Sequence, residues 1–254
     1  MATKPYYAPG SLSAAFYDVV TAADARLAGD IEIYAGLAAP GARVLELGTG
    51  SGRVAAALAG RGFAVTGIDT ARAMLAQAKA RVAALPGEVA GRIELRLGDM
   101  TALDLKRTFD LVICPYFGLA HLPAGAAWRN AFATAARHLP AGGRAAFHLP
   151  LLEAMRGGGP ADPAAIVLDQ PIGSGGRLRL YVRERRFRDD LGRLDQVIDY
   201  VEHDAKGSVA RRASERLTYY LTDPVPAAAA AGLVAERPPI ALGGIGEIRV
   251  FRKP

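Results

Sequence analysis

From residue 43 onward the apolar positions come in short, nearly continuous runs separated by longer stretches of helical period. Arg43-Val-Leu-Glu-Leu47 reads as a buried strand and Ser51 to Ala59 as a helix ended by Gly60 and Gly62. Phe63 to Ile68 reads as a strand, and Ala71 to Leu85 as a helix stopped by Pro86-Gly87. Strands follow at Arg92 to Leu97 and Phe109 to Cys114. A helix over Ala124 to Leu139 stops at Pro140-Ala-Gly-Gly143, and Arg144 to Leu149 is a fifth strand. Short apolar runs spaced by amphipathic helices predict βαβ units, hence a parallel sheet covered on both faces. Upstream, residues 11–39 read as two helices, with Ser11 and Ser13 as candidate caps and Leu12, Phe16, Val19 and Val20 on one face.

The period changes after Gly157-Gly-Gly-Pro160. Leu178 to Phe187, Leu194 to Glu202 and Arg211 to Leu221 alternate apolar with polar residues, joined at Asp189-Asp-Leu-Gly192 and Asp204-Ala-Lys-Gly207. That predicts hairpins in an antiparallel sheet with one wet face. Asp223-Pro224 opens a further helix, and strands at Leu233 to Arg237 and Glu247 to Phe251 close the pattern. The expectation is an α/β fold. It consists of a Rossmann-like, seven-stranded, mostly parallel sheet with helices on both faces, plus a small antiparallel sheet inserted after the fifth strand. In domain terms, 1–40 is an N-terminal helical lid. Residues 41–160 and 223–254 are the core, and 161–222 the insertion, a substrate cap or a dimerisation surface.

Composition narrows the picture. The 254 residues are 51% hydrophobic and 22% charged, an ordinary globular balance. No run approaches the roughly 18 apolar residues of a membrane span, and the first ten residues lack a signal-peptide core. A cytoplasmic protein is therefore expected. One cysteine, Cys114, and four scattered histidines argue against a metal site. The net charge of +6 does not mark a nucleic-acid binder. The densest basic stretch, Arg177 to Arg216, interleaves acids along strands and lacks the patch-and-aromatic pattern.

The chemistry concentrates in Val44-Leu-Glu-Leu-Gly-Thr-Gly-Ser-Gly52, a buried strand running into a glycine-rich turn that opens a helix. Glycines there let backbone approach a ligand closely, at the strand ends where such sheets bind ligands. A dinucleotide fingerprint starting at Gly48 would need glycine where Arg53 stands. Glu46, before the turn, would repel a pyrophosphate but suits a cationic amino-acid head. Asp69, ending the next strand, can accept ribose hydroxyls, or cap the following helix. Gly98-Asp99-Met100 follows the third strand, with Asp99 placed to accept from an adenine amino group and Met100 to pack on the ring.

These elements together resemble the class I S-adenosylmethionine-dependent methyltransferases. Residues 43–55 are similar to that family's first motif, Asp69 to its second-strand acid, and Gly98-Asp99-Met100 to its adenine-side motif. Phe109 to Cys114 resembles its fourth strand, and His138 to Arg144 the turn before its fifth. Thr49 stands where the family often has cysteine. The likeness covers about 30–150. More loosely, the ends resemble the small-molecule branch that includes sugar and glycine-type N-methyltransferases. Phe16-Tyr17-Asp18, Tyr34, Phe117 to His121 and the insertion carry that part. The resemblance implies S-adenosylmethionine held by Tyr17, Tyr34, Glu46, Leu47, Gly48, Thr49, Gly50, Gly52, Arg53, Asp69, Thr70, Met74, Gly98, Asp99, Met100, Cys114, Pro115 and Tyr116.

The implied reaction is in-line methyl transfer to a nitrogen or oxygen of a small molecule, with no metal. His121, after the fourth strand, is the candidate base, and Tyr17 a candidate for facing the sulfonium. His148, and Arg183, Arg185 and Arg188, are weaker substrate-side candidates. The partners expected are a small-molecule substrate and a second copy of the chain, with neither nucleic acid nor membrane. The rival readings are a non-catalytic cofactor-binding module and an NAD-dependent oxidoreductase.

Overall fold

In the computed structural model, which describes residues 3–173 and 175–254, the elements run in this order. β1 is Lys4–Pro5, α1 Leu12–Ala15, α2 Tyr17–Ala23, α3 Asp30–Ala35, β2 Arg43–Leu47 and α4 Arg53–Gly60. β3 is Ala64–Asp69, α5 Arg72–Ala83, α6 Gly87–Ala90, β4 Ile93–Leu97, β5 Leu111–Cys114 and α7 Ala126–Arg137. β6 is Arg144–Pro150, α8 Leu152–Gly157, β7 Ile166–Pro171, β8 Arg177–Arg188, β9 Arg193–His203 and β10 Val209–Tyr220. α9 is Val225–Ala230, β11 Val234–Ala235, β12 Ile240–Leu242 and β13 Gly246–Arg252. They group into two units, 26–151 with 221–254, and 1–25 with 152–220.

The larger unit is built on a sheet ordered β11-β13-β6-β5-β2-β3-β4, with β12 also paired to β13. β4, β3, β2, β5 and β6 are mutually parallel, while β13 runs antiparallel to β6 and β11 and β12 antiparallel to β13. The sheet thus has eight strands where the hydrophobic pattern predicts seven. β12 is only three residues long and exists because β13 offers it an edge. The chain leaves β2 toward β3 and β4, then returns to lay β5 on the other flank of β2. Strand order therefore reverses between β2 and β5, and the crevice at their carboxyl ends is where such sheets bind ligands.

Both faces of this sheet are covered. Leu45, Leu47, Val112, Cys114, Ala145 and Phe147 pack with Trp128, Phe132 and Leu139 of α7 and its exit. Val44, Val65, Leu111, Ile113, Ile248 and Val250 pack with Tyr34, Val54 and Leu58. Alternate positions of one strand feed opposite cores, as the pleat requires, and this explains why parallel strands read as unbroken apolar runs.

The smaller unit is a sheet ordered β1-β10-β9-β8-β7, antiparallel except for the β1–β10 pair. Its apolar face holds Leu178, Leu180, Ile198, Tyr200 and Leu217 against Leu12 and Phe16. The N-terminal segment is bound here by more than apolar contact. Fully buried Glu215 accepts from the backbone of Leu12 at 2.6 Å and of Ser13 at 3.3 and 3.2 Å. The Tyr6 and Tyr200 hydroxyls share a hydrogen bond of 2.6 Å, and Ser11 caps Ala14 at 3.2 Å. Both expected hairpin turns are present: a 3-10 turn, Asp189–Leu191, closes at left-handed Gly192, and Asp204 accepts from Lys206 and Ser208, each at 2.9 Å.

Residues 11–39 do not form the two helices expected. They break into α1, α2, a 3-10 turn at Ala25–Leu27, and α3, because the backbone leaves helical geometry at Phe16, Asp24 and Gly29. Among the described residues, no helix is long and apolar enough to cross a membrane.

Candidate active site

The site grows from the end of β2. Gly48, Gly50 and Gly52 all take left-handed φ, of 76°, 55° and 77°, and the side chains of Thr49 and Ser51 between them are buried, so the exposed rim of the turn is backbone. Its floor is buried. Gly52 sits where a Cβ would lie 3.2 Å from that of Ala78 on α5, so the helix can press against the turn. Arg81 of α5 donates to the Ser51 carbonyl at 2.9 Å and ties the two together.

Glu46 points into the buried layer beneath the turn, at 1% exposure, and accepts from the Thr49 hydroxyl at 2.8 Å. Burial pushes its carboxyl up to about 8, against the opposing pull of the Thr49 bond and Arg53. Thr49 has its own constraint. Its hydroxyl lies 2.5 Å from where a Cβ on Gly67 would stand, so β3 must carry glycine at that point. Arg53 opens α4 and is held by the carboxylate of buried Asp30, one bond being 3.2 Å. A ligand reaching Arg53 must share it with Asp30.

Asp69, at the end of β3, accepts from the backbone of Gly50 and of Ala71, each at 2.8 Å. The carboxylate thus locks the glycine turn to the start of α5. Burial raises its pKa, against these backbone bonds. A carboxylate has about four lone-pair sites, so each oxygen keeps capacity for a ribose hydroxyl. Asp99, after β4, is exposed and accepts from the backbone and hydroxyl of Thr101, each at 2.8 Å. The Met100 methyl lies 3.4 Å from where a Cβ on Gly48 would be, which brings the third strand end against the first.

The fourth strand end completes the crevice. Beyond Cys114 and buried Pro115, Tyr116 and Phe117 take positive φ, 44° and 63°, and their rings stack at 5.7 Å. Non-glycine residues in this region signal a constrained turn. Phe117 donates its backbone N–H to the His148 carbonyl at 3.2 Å, and the two rings lie 4.6 Å apart. His148 is thereby a buried support of that loop from β6. His121 ends the 3-10 turn Gly118–His121, half-buried. Burial drives its imidazole down to about 4, so it is neutral at pH 7.

The other candidates lie deeper or farther out. Tyr34, Leu47 and Cys114 are fully buried in the two cores, and Met74 nearly so. They shape the floor beneath the crevice. Burial also pushes the Cys114 thiol up to about 12, which makes it inert. Gly98 packs its backbone close to Leu103, while Thr70 is exposed at the rim. Arg185 donates to the carbonyls of Gly158 and Met155 and is spent on holding that segment. Arg183 leans toward buried Asp199 at 3.8 Å, and Arg188 toward Asp190 at 3.8 Å. Tyr17 lies in the smaller unit, edge-on to the Tyr7 ring at 5.8 Å. The sequence pattern does not reveal Asp30, Gly67 and Arg81, whose partners are 23, 18 and 30 positions away in the chain. Only the glycine inside an otherwise apolar strand carries any signal.

The sequence profile of a family described as a methyltransferase domain matches residues 44–143. No curated protein matches the chain. Among solved structures, the CcbJ methyltransferase of Streptomyces caelestis superposes with a TM-score of 0.73 at 22% identity, over 99% of both chains. CalS10, an amino pentose methyltransferase of Micromonospora echinaspora determined with bound S-adenosylmethionine, scores 0.67 at 22% identity, over 94% of this chain and 96% of that one. The sugar N-methyltransferase KedS8 of a Streptoalloteichus strain scores 0.71 at 23%, over 93% and 92%. Residues 44–143 thus match a methyltransferase domain, and the chain shares the fold of these solved methyltransferases.

Proposed function

We propose that this chain is an S-adenosylmethionine-dependent methyltransferase that acts on an amino nitrogen of a small, sugar-like molecule, and that its cofactor lies across the carboxyl ends of β2, β3 and β4. The observation that carries the cofactor placement is the glycine-rich rim Gly48–Gly52, flanked by carboxylates at the ends of adjacent strands, Glu46 and Asp69. That donor set fits the group. Glu46 answers a cationic ammonium, Asp69 ribose hydroxyls, and Asp99 with Met100 an adenine. S-adenosylmethionine supplies a methyl group on a sulfonium, which passes to the nucleophile by in-line displacement. The protein's task is alignment and exclusion of water. The buried floor of Leu47, Met74 and Cys114 serves exclusion, and the pinned turn at Tyr116 and Phe117 serves alignment.

The preference for nitrogen draws on the amino pentose and sugar N-methyltransferases among the structural neighbours. His121 supports it. A neutral imidazole in the loop after β5 can accept a hydrogen bond from an amine without adding positive charge to the site. Tyr17 and the smaller unit are proposed as the substrate-recognising part of the chain.

The cofactor assignment is tested by melting. S-adenosylhomocysteine at about 100 times its Kd adds roughly 2.7 kcal/mol, a shift of about 5–10 °C for a chain of this size, whereas NAD leaves the melting point unchanged. A shift with NAD alone would overturn the placement. Methyl transfer to amino sugars, but not to their hydroxyl counterparts, tests the nitrogen assignment.

A further inference from the structure

The strand register of the smaller unit places several of its arginines on one face. Glu184 of β8 stands opposite Val197 of β9, and Val197 opposite Arg216 of β10. In the next row Arg186 faces Asp195, which faces Thr218, and beyond it Arg188 faces Arg193. Arg177 and Arg179, opposite His203 and Val201, share that face because the register shifts by one residue between Val182 and Glu184. Most of these cations are neutralised locally. Arg177 and Arg179 bind Asp169 at 2.6 and 3.2 Å, and Arg193 binds Asp195 at 2.7 Å. Thr218 also donates to Asp195, at 2.9 Å, which occupies that carboxylate further.

Two arginines are different. Among the described residues, Arg186 and Arg216 make no side-chain hydrogen bond or ion pair. Both line a cavity of about 220 Å³, whose wall also contains Glu184, Arg188, Arg193, Asp195, Gln196 and Val197. Four guanidinium groups against two carboxylates leave the wall with an excess of two positive charges. Arg186 and Arg188 are about 7 Å apart along one strand, and Arg216 lies two strands away, about 10 Å across. Flexible side chains of that length can converge above buried Val197. Uncompensated, converging guanidinium forks in a concave site match the geometry of a phosphoryl group, which each can grip with two parallel N–H donors.

We propose that this cavity, on the sheet face of β8, β9 and β10, is a binding site for a phosphoryl group, with Arg186 and Arg216 as its principal donors. Arg188 and Arg193 extend the positive wall, and Glu184 limits affinity by its like charge. The proposal goes beyond methyl transfer and does not depend on where the cofactor lies. The group reaches the cavity either as free phosphate or as part of a phosphorylated small molecule.

Calorimetric titration of the full-length protein with inorganic phosphate and with glucose 1-phosphate, in a phosphate-free buffer of low ionic strength, decides it. Saturable binding at one site is expected. The double variant Arg186→Ala/Arg216→Ala weakens it by more than about tenfold, the loss of two charge-assisted donors. Glu184→Gln tightens it by about two- to fivefold, an effect that a purely structural role for the arginines does not produce. Arg177→Ala/Arg179→Ala removes the same charge from the same face outside the cavity and changes affinity by less than about threefold. Tighter binding of the ester than of phosphate identifies a phosphorylated small molecule as the source, and equal binding identifies the free anion. Absence of saturable binding, or equal weakening by both double variants, overturns the proposal, since the second result means diffuse charge. Binding of S-adenosylhomocysteine, measured in parallel, reports separately on the cofactor assignment and on whether each variant is folded.

Discussion

Glu46 shows how a single carboxyl can serve two states of the protein. Held at about 8 by burial, it keeps its proton in the folded, ligand-free chain at pH 7, while an unfolded chain gives that proton up near pH 4.5. Between these values the folded state binds more protons than the unfolded one, so this group's contribution to stability falls as pH rises. Glu46→Gln removes that dependence. Urea unfolding from pH 5 to 8.5 should show the wild type losing a few kcal/mol relative to the variant, because each pH step of one between the two values is worth about 1.4 kcal/mol. A constant difference across that range would mean that Glu46 is already ionised. If Glu46 meets the cofactor's ammonium as proposed, binding acquires a pH signature, because the ammonium favours its charged form and expels a proton. Asp69 works differently, since it anchors the turn and is also proposed to hold the ligand. Asp69→Ala should weaken S-adenosylhomocysteine by more than tenfold, each lost charge-assisted bond costing roughly 1.5–3 kcal/mol. Asp69→Asn keeps an acceptor for part of the contacts and should lose less. Calorimetry giving equal affinity for all three proteins would reduce Asp69 to a cap.

At the scale of the elements, α7 is the main support beneath β5 and β6. Trp128 is 2% exposed, packs in the larger core, and donates from its ring to the Leu122 carbonyl at 3.0 Å. Trp128→Ala should cost about 3–5 kcal/mol through the cavity it leaves, read as a lower urea midpoint with an unchanged slope. The elements also show what a sequence reveals. β2 is legible to the residue, since five apolar-rich positions end at a glycine turn. The ends of α4, α5 and α7 are legible to within a turn. β7 is not, because its burial follows no alternation and its strand exists through pairing with β8. α8 follows β6 directly and offers too few residues for a helical period to register. In the site, the acids and glycines at strand ends were legible, since local chain geometry determines them. The ion pair Asp30–Arg53 and the contact between Thr49 and Gly67 were not, since they join residues that only the folded sheet brings together. The burial of Tyr34 and Cys114 was hidden for the same reason.

For the whole molecule, the division of the chain assigns its first 25 residues to the antiparallel sheet and not to the larger core. A chain in which 26–151 is joined to 221–254 by a short Gly/Ser linker should therefore keep a complete parallel sheet with Glu46, Asp69 and Asp99 in place. It should bind S-adenosylhomocysteine within about threefold of the intact protein, because every contact assigned to the cofactor except Tyr17 is retained. If the smaller unit recognises the substrate, methyl transfer should be lost. A trimmed chain that still methylates its substrate would place recognition in the larger unit, and dimerisation would become the better account of the antiparallel sheet.

The pairing of β1 with β10 also has a consequence in time. Lys4 lies beside Glu215, and the amides of Leu12 and Ser13 depend on that same glutamate. During synthesis at roughly 5–20 residues per second, the segment around Lys4 waits tens of seconds for β10 to be made. The larger unit waits too, since β13 belongs beside β6 but is translated well after it. Over that interval Lys4 to Ser13 lacks the strand it pairs with, and the parallel sheet is short of the edge that β13 completes.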